Sequence, residues 1–358
     1  MNQDEFQEIA ADELDYERID IQVDPKQSPI RIDAFLSEKI PRVSRNKIQM
    51  AIAAGWITVN QSTVKSNYKI RPNDQIHVIT PRPVIEQEII PEELPLDIVY
   101  EDDTLIVINK RPGVVVHPAA GVRTGTLLNA IAWHLGYRGK GFIPEGHERL
   151  GLVHRIDKET SGLLLLAKND EAAAHLSKQF FDHTIEREYL ALVWGEPNPA
   201  IGRIEMNIYR DPKRRSCMAT TNDPLEGKYA ATNYELVESF YYTSLIKCKL
   251  ETGRTHQIRV HMRAIGHTLF NDEKYGGDKI LKGTIFTKYK QFVNNCYEIL
   301  PHFALHARSI GFIHPKTNQK MYFELELPQA YQALLSKWRN YTLHRKESLD
   351  EGTQEFID

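Results

Sequence analysis

The chain is expected to fold as an α+β protein, with a small α/β unit joined to a larger domain built on a largely antiparallel sheet. Three observations support this. Strand-like and helix-like segments mix along residues 96–341 without a regular βαβ rhythm. Helical spacing gives way to short strands within residues 28–80. A stretch with four prolines and no periodicity, 81–95, separates the two regions and reads as a linker.

Residues 1–27 hold nine acids against two bases, a charge of −7, and read as an acidic mobile arm in which Phe6 to Leu14 has the makings of a short helix. In the small unit, Ile32, Phe35, Leu36 and Ile40 recur at helical spacing. Ser44 is placed to cap a second helix, Arg45 to Ala54, which Gly55 ends. Trp56 to Asn60 and Gln75 to Ile79 read as strands, with Pro72-Asn73-Asp74 as a turn. In the large domain, strands are expected at Leu105 to Asn109, Val114 to His117, Glu188 to Trp194, Thr243 to Leu250, Ala307 to Phe312 and Met321 to Leu327. Another follows the polar segment ending at Gly162. Helices are expected at Thr126 to Leu135, Glu171 to Phe181, from Thr255, and at Ala330 to Trp338, with a glycine-rich loop over 136–146. Residues 342–358 carry −3 and read as an acidic tail.

The net charge of −3 therefore hides a body of +7 between acidic ends, compatible with a polyanionic partner because phosphate neutralisation dominates such affinities. No apolar run approaches the roughly 20 residues that cross a bilayer. The N-terminus lacks the basic and apolar regions of a secretion signal. Cys217, Cys248 and Cys296 are scattered and odd in number, which suggests reduced thiols in a cytoplasmic compartment and argues against zinc. Nucleotide-binding glycine loops and the G-x-S-x-G elbow are absent.

The most informative stretch is GLVHRIDKETSGLLLLAK, Gly151 to Lys168. One acid, Asp157, lies between Arg155 and Lys158, just ahead of an apolar run. A carboxylate held among cations at the end of a buried strand stays ionised and is suited to act as nucleophile or base. Two later segments accompany it, REYLALV (Arg187 to Val193) and TGRTHQIRVH (Thr252 to His261). His256 and His261 are five apart, on different faces of a helix, so structural hydrogen bonding is expected of them and no metal site.

HRIDKETSG resembles the HRLD-x-x-TSG signature of the RluA/RluD group of pseudouridine synthases, and the two later segments resemble that group's later motifs. NKRPGVVVHP (Asn109 to Pro118) and ALHARSIGFIHP (Ala304 to Pro315) extend the likeness. SRNKIQMAIAAGWITVN and RPNDQIHVI, within residues 44–79, resemble the S4 RNA-binding domain. The resemblance implies a mixed sheet split by a central cleft, and an isomerisation that breaks the uridine N-glycosidic bond, turns the uracil and rejoins it through carbon. Such a reaction needs no metal, redox or nucleotide cofactor.

By resemblance Asp157 is the catalytic acid, which either attacks the sugar or base or removes a ribose proton. Tyr189 would contact the base, and Arg254 is expected to pair with Asp157 and orient it. Arg155 would fill the gap left by a flipped uridine, with His154, Gln257 and Arg259 as further RNA contacts. Arg31, Arg42, Arg45, Lys47, Lys65 and Lys69 would give the S4 unit a cationic face for RNA backbone. VVVHPAAG and TGTLLNA favour the branch that acts on 23S rRNA, as free RNA or a pre-50S particle, by a cytoplasmic monomer that binds no membrane. The alternatives are tRNA pseudouridylation and a non-catalytic ribosome-assembly factor. Three departures are visible: Ile156 for Leu, Asn271 for Gly at the start of NDEKYGG, and His302 for Arg.

Overall fold

A computed structural model describes residues 16–40, 43–81, 89–118, 122–137, 151–284 and 286–354. The expected Phe6 to Leu14 helix, Arg42 and most of the glycine-rich loop lie outside them. The N-terminal unit runs β1 (Tyr16–Gln22), α1 (Ile32–Lys39), α2 (Arg45–Ala53), β2 (Ile57–Val59), β3 (Ser62–Thr63) and β4 (Gln75–Pro81), with sheet order β1-β4-β2-β3. Strand β1 corrects the expectation of a mobile arm as far as residue 27. Ile19 and Ile21 alternate with Arg18 and Asp20, and the apolar pair packs onto the unit's core. That period-2 pattern, masked by the acid count, pairs Tyr16 with Pro81 through to Gln22 with Gln75. Ser44 caps α2, accepting from the Lys47 amide, and Gly55 follows at φ +80°.

The large domain continues with β5 (Ile98–Glu101), β6 (Leu105–Lys110), α3 (Leu127–His134), β7 (Ser161–Ala167), α4 (Asp170–Phe181), β8 (Glu186–Trp194), β9 (Ile201–Glu205), β10 (Asn207–Arg210), β11 (Met218–Thr221), β12 (Ala231–Ser239), β13 (Thr243–Leu250), α5 (Gln257–Ala264), α6 (Thr287–Ile299), β14 (Leu305–Ile313), β15 (Lys320–Glu324) and α7 (Gln329–Gln354). Its main sheet has the order β5-β6-β7-β14-β8-β13-β12-β9, with β15 on β14. All pairings are antiparallel except β7 with β14.

Strands β7 and β8 read as continuous apolar runs because both their faces are covered. Leu164, Leu166, Tyr189 and Ala191 join α3 and α5 on one face. On the other, Leu163 and Leu165 meet α4, while Leu190 and Leu192 meet α6 and α7.

The sheet forks at its parallel pair. Strand β14 meets β7 only at His306↔Ser161 and Ala307↔Gly162, then pairs with β15 from Ser309 onward. At the fork the backbones nearly touch: Gly162 has φ +107°, and a Cβ there would lie 2.2 Å from the Ala307 carbonyl oxygen. Asp157 lies just before that fork.

Two further expectations are corrected. No strand forms at Val114 to His117; the carbonyls of Val115 and Val116 instead accept the first amides of α3, Leu127 and Leu128. The final helix continues through the acidic stretch to Gln354. The elements from β9 to β12, and α6, were not read from the sequence.

Candidate active site

Asp157 sits in the loop ahead of β7, held from two sides. The Thr160 amide donates to its carbonyl at 3.1 Å. The next carbonyl, Lys158, accepts from the Gly113 amide at 3.0 Å and from Lys110 Nζ at 2.7 Å. Lys110 Nζ also donates to the Arg111 and Val114 carbonyls, so one buried ammonium ties the Asn109 to Pro118 motif to the Asp157 loop. Burial pushes that ammonium down to about 7, with the Glu159 and Asp157 charges working the other way.

Asp157 is ion-paired with Arg259, where the sequence suggested Arg254. Arg259 Nη1 lies 2.9 Å from Asp157 Oδ2. Its Nε and Nη2 make a two-pronged pair with Asp272 at 2.8 and 3.0 Å. The guanidinium also lies over the rings of Phe303 at 4.1 Å and Tyr275 at 5.0 Å. Burial opposes the charge of Arg259 most strongly, but the Asp272 carboxylate, Asp157 and Tyr275 together outweigh it, so the group is held well above its ordinary value. Asp157 keeps 18 % of its side-chain surface open, against 3 % for Arg259 and 1 % for Asp272. The carboxylate is therefore the member of this triad that a substrate can reach.

The physical reason for the swap lies in where α5 begins. His256 adopts φ +55° and the helix starts at Gln257, so Arg254 stays in the preceding turn, where its Nε donates to the Tyr229 carbonyl. Arg259 lies in the first turn of the helix, between Ile258 and Val260, and is buried. A charged residue flanked by apolar ones was the available signal, since a buried cation demands a partner.

Tyr189 lies on the same face of the sheet, in register with Cys248 of β13 and Ala307 of β14. Burial raises its hydroxyl above the ordinary phenol range; the Arg187 charge works against this and the Asp157 charge with it. The phenol thus stays protonated at neutral pH.

Three expected RNA contacts are turned inward. Arg259 is committed to its carboxylates. Gln257 is buried, donates to the Ala231 carbonyl and Thr232 Oγ1, and accepts from the Arg254 amide. His154 accepts from the Leu165 amide through Nε2 and stacks on Phe180 at 4.5 Å, toward the α4 face. Arg155 remains half-buried beside Asp157. His256 and His261 hold hydrogen bonds to Tyr275 Oη and Thr232 Oγ1, as expected of structural histidines.

In the N-terminal unit, Arg31 and Arg45 converge on the buried Asp33. The Arg31 hydrogen bond is the main cause that holds that carboxyl well below the usual range. Both arginines stay about half exposed, Lys65 and Lys69 are exposed, and Lys47 lies in the first turn of α2.

Asn271 takes the left-handed region at φ +61°, which asparagine tolerates almost as glycine does, so the turn survives that departure. Among the described residues no three His, Cys, Asp or Glu side chains are grouped to hold a metal, and Cys217, Cys248 and Cys296 are buried and free. No helix among them is long and apolar enough to cross a membrane.

Family models for an RNA pseudouridylate synthase and an S4 domain match residues 104–264 and 30–76. An RNA pseudouridine synthase of Chlorobaculum parvum is 43 % identical over 320 residues, 89 % of this chain and 97 % of that protein. The chain belongs to the RNA pseudouridine synthase family. A ribosomal large subunit pseudouridine synthase D of Zymomonas mobilis is 40 % identical over 313 residues, covering 85 % of this chain and 92 % of the relative. The fold is shared with human RNA pseudouridylate synthase domain containing 4, at TM-score 0.50 and 22 % identity over 68 % of this chain and 93 % of that one. As a pseudouridine synthase the chain is an isomerase acting on RNA, and its S4 domain is a second RNA-binding unit.

Proposed function

We propose that this synthase isomerises uridines of large-subunit ribosomal RNA and that Asp157 is the group that carries the reaction. The observation behind this is a partly open carboxylate paired with a buried arginine, at the fork of the sheet and on the same face as Tyr189. Nothing is hydrolysed, so one acid suffices where a glycosidase needs two. Extruding the uridine costs a few kcal/mol, and contact with an aromatic ring returns about 1–3. Tyr189 is the ring assigned to that contact, and Arg155 is assigned the space the base vacates. The exposed cations around Asp33, with Lys65 and Lys69, are assigned to RNA backbone. The substrate reading is supported by relatives named for the large ribosomal subunit. It places the enzyme in the cytoplasm, acting as a monomer on rRNA or a pre-50S particle.

Asp157→Asn tests the chemistry, because it removes the charge and leaves the surface. Turnover on rRNA is expected to vanish while RNA affinity stays within about threefold. Near wild-type turnover would refute the assignment. Pseudouridine mapping of rRNA and tRNA from cells with and without the gene tests the substrate. Missing sites confined to tRNA would overturn the ribosomal reading.

A further inference from the structure

The NDEKYGG segment, Asn271 to Gly277, has no part in the chemistry described so far, yet it is built tightly. The Gly277 amide donates to the Asp272 carbonyl at 2.7 Å, and a Cβ on Gly277 would lie 1.9 Å from the Leu269 carbonyl oxygen. The product of this turn is a fully buried carboxylate, Asp272, aimed at Arg259.

An arginine facing a single carboxylate commonly grips it with two parallel N–H bonds. Here Asp272 occupies the Nε and Nη2 edge, and Asp157 receives one contact, from Nη1. We propose that Asp272 is a positioning residue for the isomerisation: it fixes Arg259 edge-on to Asp157 and takes up part of its charge, so that Asp157 is oriented without being over-stabilised. This rests on the reading of Asp157 as the catalytic acid.

Two carboxylates share one guanidinium, leaving the cluster at net −1. A carboxylate alone with a buried guanidinium would be a poorer nucleophile and a weaker base, since the partner favours its unreactive ion pair. Other charged or titratable groups near the cluster include Tyr275, with Arg263 beyond its ring, on the Arg259 side, and Lys110, Arg155, Lys158, Glu159, Arg187 and Tyr189 around Asp157. None of them makes a two-pronged pair with Arg259 as Asp272 does.

Asp272→Asn keeps the shape and one acceptor while deleting the charge. Single-turnover kinetics on rRNA from pH 5 to 9 should show kcat down by roughly 10-fold or more with KM within about threefold. The acidic limb should move to lower pH, because the whole field of Arg259 then falls on Asp157. A merely structural role would lower the active fraction and leave the limb in place. A kcat within about twofold of wild type with an unmoved limb, or a loss in KM alone, would overturn the proposal. Asp157→Asn in parallel separates the two ideas: an active Asp157→Asn protein sinks the catalytic reading, and a dead one beside a normal Asp272→Asn protein sinks only this proposal.

Should Asp272→Asn fail to fold, Arg259→Lys and the Arg259→Lys/Asp272→Asn pair decide the matter. A lysine lacks the planar fork that holds Asp272 on one edge while contacting Asp157 from the other, so adding Asp272→Asn to it should change kcat by less than about threefold. A further drop of about tenfold would mean that Asp272 acts by another route.

Discussion

Trp56 joins the S4 unit to the catalytic domain beside a Tyr16–Phe181 edge contact at 4.9 Å, and Trp56→Ala should loosen one from the other. Its indole Nε1 donates to the Ala174 carbonyl of α4 at 3.0 Å. The ring lies edge-on to Phe181 at 5.3 Å and beneath Lys178 Nζ at 5.6 Å, and stacks on Tyr16 at 5.2 Å within its own unit. Only the first three contacts cross between the units. The hydrogen bond contributes about 1 kcal/mol, the aromatic edge about 0.5–1.5, and the partly solvated cation–π contact about 0.5. Their loss amounts to ~2–3 kcal/mol, or roughly 30- to 150-fold in the docking equilibrium. Small-angle scattering should then report a larger radius of gyration. Affinity for a long rRNA fragment should fall, while turnover on a short stem-loop held by the catalytic cleft alone should stay near wild type. Trp56→Phe, which keeps a ring and loses the donor, should fall between. An unchanged radius together with unchanged long-RNA affinity would refute the idea that this contact fixes the two units.

Three further outcomes are expected. Burial pushes His261 and His306 each down to about 4, so the folded state resists protons that the unfolded chain accepts. Their contribution is complete above pH 6.5 and is lost as pH falls toward 4. The urea midpoint should drop between pH 7 and pH 5, less so in His261→Gln, and equal drops in both proteins would count against this. Gly162→Ala should lower stability by about 3 kcal/mol or more, because the new methyl meets the Ala307 backbone rather than a movable side chain. A melting curve within 1 °C of wild type would contradict that. Arg259→Met leaves Asp272 buried without its main counter-charge and should cost roughly 3–5 kcal/mol, much of it recovered in Arg259→Met/Asp272→Asn. Equal denaturation midpoints for those two proteins would rule it out.

The sequence alone determined the fold class, the S4 unit and most strands and helices, and it singled out Asp157 and Tyr189 as candidates. These are local signals: apolar runs of strand length, a serine cap, a glycine stop, and an acid set between two cations. Strand β1 escaped because its two half-buried isoleucines are outnumbered by charges, and only pairing with β4, more than fifty residues away, makes their alternation meaningful. The sequence put Arg254 where Arg259 belongs as the partner of Asp157 for a similar reason. TGRTHQIRVH offers two arginines, and the choice turned on a left-handed His256 that delays the helix and carries Arg259 inward. Asp272, Lys110 and the near-contact of Gly162 with Ala307 are likewise products of chain segments brought together over long separations. Tertiary structure decided them because burial makes an unpaired charge costly, and the residue that relieves that cost is set by geometry, not by position along the chain.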